Sequence, residues 1–71
     1  MIDFIRVGRK LTNYRKKLQL TQDDVAERLF VTRQLVSKWE NGTGVPSIDC
    51  LLELCKLYNT TFEDILCLDG E

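Results

Sequence analysis

Histidine is absent from the 71 residues, while proline (Pro46) and tryptophan (Trp39) occur once each and glycine four times. Without histidine the commonest metal ligand and general base is missing. The three cysteines, Cys50, Cys55 and Cys67, contain no C-x-x-C pair, so neither a common zinc set nor a redox dithiol is signalled. A glycine-rich phosphate loop is missing too, and no nucleophile stands at a supporting distance from a base. These absences speak against an enzyme and leave no expected metal or cofactor. No apolar stretch is long enough for a secretory signal or a membrane span. An odd cysteine count then fits a reducing cytoplasm, with the thiols buried as small core hydrophobes. Strand-type alternation is lacking as well, and scarce glycine and proline point to helices with short joints.

What is present is 44% hydrophobic and 30% charged, the balance of a globular chain. One small domain over residues 1–71 is expected, with every apolar face in use. The net charge of -1 hides an asymmetry. Residues 1–38 carry nine basic side chains against four acids, and residues 39–71 carry Lys56 against seven acids. Such a split marks either a side that faces a polyanion or an ordinary solvated surface.

The stretch Thr21–Gly42 organises the chain. Thr21 followed by Asp24 is a capping pattern, and Leu20 with Val25 forms a hydrophobic staple around it. The same grammar repeats with Thr32 as cap and Val31 with Val36 as staple. Two helix starts this close leave room for two turns of helix and a bend, the length of a helix-turn-helix. Around this unit the spacing predicts an all-α fold with helices at about 4–18, 22–29, 33–41, 48–58 and 62–67. Phe4, Val7, Leu11, Tyr14 and Leu18 form the first apolar stripe. Val25, Ala26 and Leu29 form the second, and Val36 and Trp39 the third, flanked by Leu35. Ile48, Leu51, Leu52, Leu54, Cys55 and Tyr58 form a broad fourth face. Asn41-Gly42 suits a left-handed helix end, and Ser47 and Thr61 suit caps.

Once Val36 and Trp39 turn inward, the third helix is left with Arg33, Gln34, Ser37, Lys38 and Asn41 on one face, free of acids. Arginine matches the two acceptors of a guanine edge, glutamine the donor and acceptor of adenine, and lysine a guanine or a phosphate. Gln22 and Thr32 stand at helix N-termini, where free amides and the dipole favour a phosphate. The alternative for all of these is an ordinary exposed face with ordinary caps.

LTQDDVAERL (20–29), VTRQLVSKWENG (31–42), Pro46-Ser47 and LLELCKLYNTTFEDIL (51–66) resemble the Cro/C1-type helix-turn-helix family of phage repressors and bacterial regulators, also called the XRE family. The resemblance implies a five-helix, lambda-repressor-like bundle and a homodimer on a two-fold double-stranded DNA operator. By position it implies base contacts from Arg33, Gln34, Lys38 and, less regularly, Ser37. It implies backbone contacts from Gln22, Thr32 and Asn41, and an internal ion pair between Arg15 and Glu40. One position departs: the family often has Gly in the turn between helices 2 and 3, and this chain has Phe30. A bulky side chain held at φ > 0 costs about 1 kcal/mol, so either the ring regains this by burial or the turn differs.

The reading is therefore a sequence-specific DNA-binding regulator, with repression as the expected sense. The alternative is an antitoxin-type or other protein-interaction module that keeps the fold without strong DNA binding, whose protein partner would use the C-terminal apolar face. Ile65, Leu66 and Leu68 are the expected dimerisation residues.

Overall fold

Each helix begins where a side chain takes a free backbone amide. Asp3 accepts from Ile5 and Arg6, and Thr21, Thr32, Ser47 and Thr61 each accept from the amide three residues on. Thr21 and Asp24 close a reciprocal capping box, each side chain bonding the other's backbone amide. The amide hydrogen bond from Thr21 holds the exposed Asp24 carboxyl below its usual pKa.

The elements that follow are α1 (Phe4–Lys17), α2 (Gln22–Leu29), α3 (Arg33–Asn41), α4 (Ile48–Tyr58) and α5 (Phe62–Ile65). They belong to a computed structural model in which residues 1–68 are described. No strand occurs among the described residues. α1 lies across α3, which pairs with α2; α4 supports α2, and α5 closes the space between α1 and α4. The core holds Val7 and Leu11 of α1, Val25 and Ala26 of α2, and Val36 and Trp39 of α3. Leu51, Leu54 and Tyr58 of α4 complete it with Ile65 of α5.

Several expectations need correction. α1 ends at Lys17 rather than 18, and Leu18 is an exposed C-cap, because Gln19 turns left-handed immediately after it. α5 stops at Ile65 rather than 67. Ile65 is 0% exposed and Leu66 packs against the core, so neither is free to dimerise; Leu68 is exposed. The α4 face is narrower than its composition suggests, since Ile48 and Leu52 point outward. The three cysteines are half-buried free thiols rather than fully buried ones.

Two backbone positions set the geometry of α3. Gly8 of α1 faces the C-terminal turn of α3, and a Cβ there would stand 2.8 Å from the Trp39 carbonyl oxygen and closer still to that of Glu40. The helices cross this closely only because Gly8 has no side chain. At the other junction, Phe30 holds the left-handed conformation (φ 57, ψ 43) that the turn requires. Its ring is 94% exposed. Neither alternative for Phe30 therefore holds: the turn keeps the left-handed geometry, and the ring regains nothing by burial. Replacing Phe30 with glycine should raise stability by about 1 kcal/mol, since glycine relieves the left-handed strain. An unchanged or lower urea midpoint would show the strain to be absent.

Candidate nucleic-acid interface

α3 is nine residues long, and its faces are assigned by what it touches. Val36 and Trp39 enter the core. Arg33, Gln34, Lys38 and Asn41 are exposed, and Ser37 is half-buried between them. The structure thus brings five of the predicted residues onto one outward strip. Asn41 leans on Ser37 through a long 3.5 Å hydrogen bond. Gly42, at φ 79, ends the helix, and the Thr43 and Gly44 amides both bond the Lys38 carbonyl. The strip therefore has a fixed end.

Thr32 caps α3: its hydroxyl accepts from the Leu35 amide at 3.2 Å and keeps its own proton to donate. Gln22 has an internal partner. Its Nε2 donates to Glu40 Oε1 at 3.0 Å, which orients the carboxamide at the N-terminus of α2.

Glu40 is the joint of three helices. Arg15 Nε donates to its Oε2 at 2.8 Å and Arg15 Nη2 to its Oε1 at 3.0 Å, a bidentate pair. Arg15 Nη1 also donates to the Leu20 carbonyl at 2.9 Å. Thr12 Oγ1 lies 3.1 Å from Glu40 Oε1 and 2.9 Å from the Gly8 carbonyl, so its single proton serves one at a time. The Arg15 and Glu40 side chains are 12% and 5% exposed. Burial pushes the Glu40 carboxyl upward, but hydrogen bonds from Arg15, Gln22 and Thr12 outweigh it and hold the group below its usual pKa. Hydrogen bonding to Glu40 likewise raises the Arg15 guanidinium, against the opposing effect of burial.

One neighbour of the strip was not foreseen. The acid-free face of α3 has an acid beside it, because Asp23 Oδ1 of α2 stands 3.8 Å from Arg33 Nε. Both groups are largely exposed, so the pair is weak. Thr12 was missed as well, although its place four residues after Gly8 and three before Arg15 puts it on the flank that faces Glu40.

The profile of the helix-turn-helix family HTH_3 matches residues 11–65. The chain belongs to this helix-turn-helix family. Its relatives include the HTH-type transcriptional activator BcrR of Enterococcus faecalis, 39% identical over 57 residues, which are 80% of this chain but 28% of that protein. The chain thus spans well under half of that relative. An uncharacterized HTH-type transcriptional regulator of Bacillus subtilis, YgzD, is 34% identical over 62 residues, 87% of this chain and 94% of that one. Among solved structures, the restriction-modification controller protein C.AhdI from Aeromonas hydrophila superposes with a TM-score of 0.79. The match covers 89% of this chain and 96% of that one at 22% identity, a likeness of fold. This helix-turn-helix chain is a DNA-binding transcriptional regulator of the Cro/C1 type, from a family of regulators rather than enzymes. Among its described residues no helix is long and apolar enough to cross a membrane.

Proposed function

We propose that α3 enters the major groove of a double-stranded DNA operator and reads it with Arg33, Gln34, Ser37 and Lys38. The observation that carries this is the outward strip of α3, whose own residues include no acid and whose frame is braced by the Arg15–Glu40 pair. Gln22, Thr32 and Asn41 flank the strip and serve as contacts to the phosphate backbone. For Gln22 the hydrogen bond to Glu40 fixes one amide proton and leaves the other to a phosphate. Repression by occupancy is the regulatory sense that follows from DNA reading alone, since it asks for no further surface. The three free thiols suit the reducing cytoplasm.

Selection of bound duplexes from random DNA would define the operator. On that site Arg33→Ala should cost about 1–3 kcal/mol and relax the preference at one base pair. Retained preference at every position would remove α3 from the role of reader.

A half-site reader gains affinity and symmetry by pairing. Ile48 and Leu52 lie one turn apart on α4, and Ile48 is 72% exposed. With Val45 exposed just before the helix, they supply the apolar surface for a homodimer. Ile48→Lys should therefore shift the sedimentation equilibrium toward monomer while Leu68→Lys does not. Equal behaviour of the two variants would place the dimer elsewhere.

A further inference from the structure

α1 has a side that neither the core nor the reading helix uses. Gly8, Thr12 and Arg15 follow one another at helical spacing and face the end of α3. Lys10 and Tyr14 face α5, where Lys10 Nζ pairs with Asp64 Oδ1 at 3.2 Å and the Tyr14 hydroxyl donates to Asp64. Arg6, Lys10, Asn13 and Lys17 form a stripe along this second side at spacings of four, three and four. The stripe lines a shallow, open groove made of two adjoining depressions. One part, of about 650 Å³, is bounded by Lys10, Asn13, Tyr14, Lys16 and Lys17. The other, of about 200 Å³, shares Lys10 and Asn13 and continues to Arg6, Arg9 and Cys67. Apart from Lys10, these cations form no ion pair among the described residues.

We propose that this groove is a docking site for an acidic peptide segment of a partner protein, separate from the DNA-reading face. Charge complementarity sets the sign of the occupant. Shape and surroundings select a peptide over a second duplex. The groove follows α1 from Arg6 to Lys17 and is bordered at its Arg6 part by Cys67. A duplex is too broad to enter depressions of this size and would rest on their rim, whereas an extended peptide fits within them. An extended peptide lies inside the groove, where Lys10 already neutralises Asp64. Its carboxylates meet Arg6 and Lys17 at the two ends, and the Asn13 carboxamide is placed to bond its backbone.

The test uses a fluorescein-labelled decaglutamate peptide at low salt, read by anisotropy, with decaglutamine as control. Arg6→Gln with Lys17→Gln removes two exposed charges from the groove. Arg33→Gln with Lys38→Gln removes two from the reading strip. The groove pair should weaken decaglutamate binding roughly tenfold while operator binding holds, and the reading-strip pair should do the reverse. Equal losses in both pairs would reduce the effect to net charge and overturn the proposal. It is also overturned if wild type fails to bind decaglutamate. A lower salt slope of duplex binding in the groove pair would make the groove a nucleic-acid track instead. Loss of operator binding in the reading-strip pair leaves the proposed function standing whichever way the groove behaves.

Discussion

Replacing Arg15 with alanine should destabilise the domain by about 2–3 kcal/mol, the cost of leaving the shielded Glu40 carboxylate without its charged partner. A chain of this length has roughly 4–11 kcal/mol of stability in all, so the loss is a large share of it. The reason lies in what remains around Glu40. Its side chain is 5% exposed, and without Arg15 only neutral donors, Gln22 and Thr12, face the carboxylate. The loss has a pH signature that lost packing alone would not give. In the wild type the Glu40 pKa is depressed, so its contribution is present above the unfolded-state value of about 4.3 and fades as pH falls through the folded value. In the variant burial raises the Glu40 pKa, and the group is relieved by taking up a proton. The stability gap between the two proteins should therefore narrow as pH falls toward 4, followed by urea unfolding across pH. A gap independent of pH would show that Arg15 acts through its packing. Replacing Arg15 and Glu40 together by methionine should cost much less than Arg15→Ala, because no charge is left buried.

The second large effect is Gly8→Ala. Helix propensity by itself favours alanine over glycine by about 1 kcal/mol. Against this stands the backbone of α3, with the Trp39 carbonyl oxygen 2.8 Å from the new Cβ. Main-chain carbonyls cannot rotate aside as a long side chain does, so α1 and α3 must separate. Overpacking of this kind costs about 1–3 kcal/mol, and a rigid backbone partner puts it at the upper end. The expected result is a lower urea midpoint despite the better helix former. Because α1 rests on the turn of α3 that precedes Gly42, operator affinity should fall along with stability. A neutral or stabilised variant would mean that the crossing is looser than described.

Much of this fold could be read from local chemistry. Thr21, Thr32, Ser47 and Thr61 cap their helices, and Gly42 ends α3, because capping depends on residues three or four apart. The strip Arg33, Gln34, Lys38 and Asn41 followed in the same way, by subtracting the residues that turn inward. Less accessible was anything that depends on how wide the core is. Periodicity groups Ile48 and Leu52 with Leu51 and Leu54, but only the placement of α2 against α4 decides which of them are covered. Ile65 is buried because it is the one residue of the four-residue α5 that turns in between α1 and α4, which the helix's length does not announce. Gln22 meets Glu40 from 18 positions away, and Asp23 meets Arg33 across the turn. Such long-range pairings follow from helix crossing, and crossing angles are not written in spacing. Family resemblance supplied one of them, Arg15 with Glu40, and marked Phe30 as unusual without showing that its ring stands in solvent.

The single carboxylate of Glu40 has a consequence for how the molecule comes apart. It accepts from α1, from the start of α2 and, through its own backbone, belongs to the end of α3. A second carboxylate, Asp64, fastens the other side of α1 to the far end of the chain by accepting from Tyr14 and Thr60. Detaching α1 strands the Glu40 carboxylate, which the rest of the bundle must then bear, whereas Asp64 leaves with α5 into water and costs less to release. Opening at α1 is therefore the costly route, and it loosens α2 and α3 through the same carboxylate. If α3 reads DNA as proposed, the carboxylate that fastens α1 also fixes the end of the reading helix, so whatever loosens α1 loosens the reader with it.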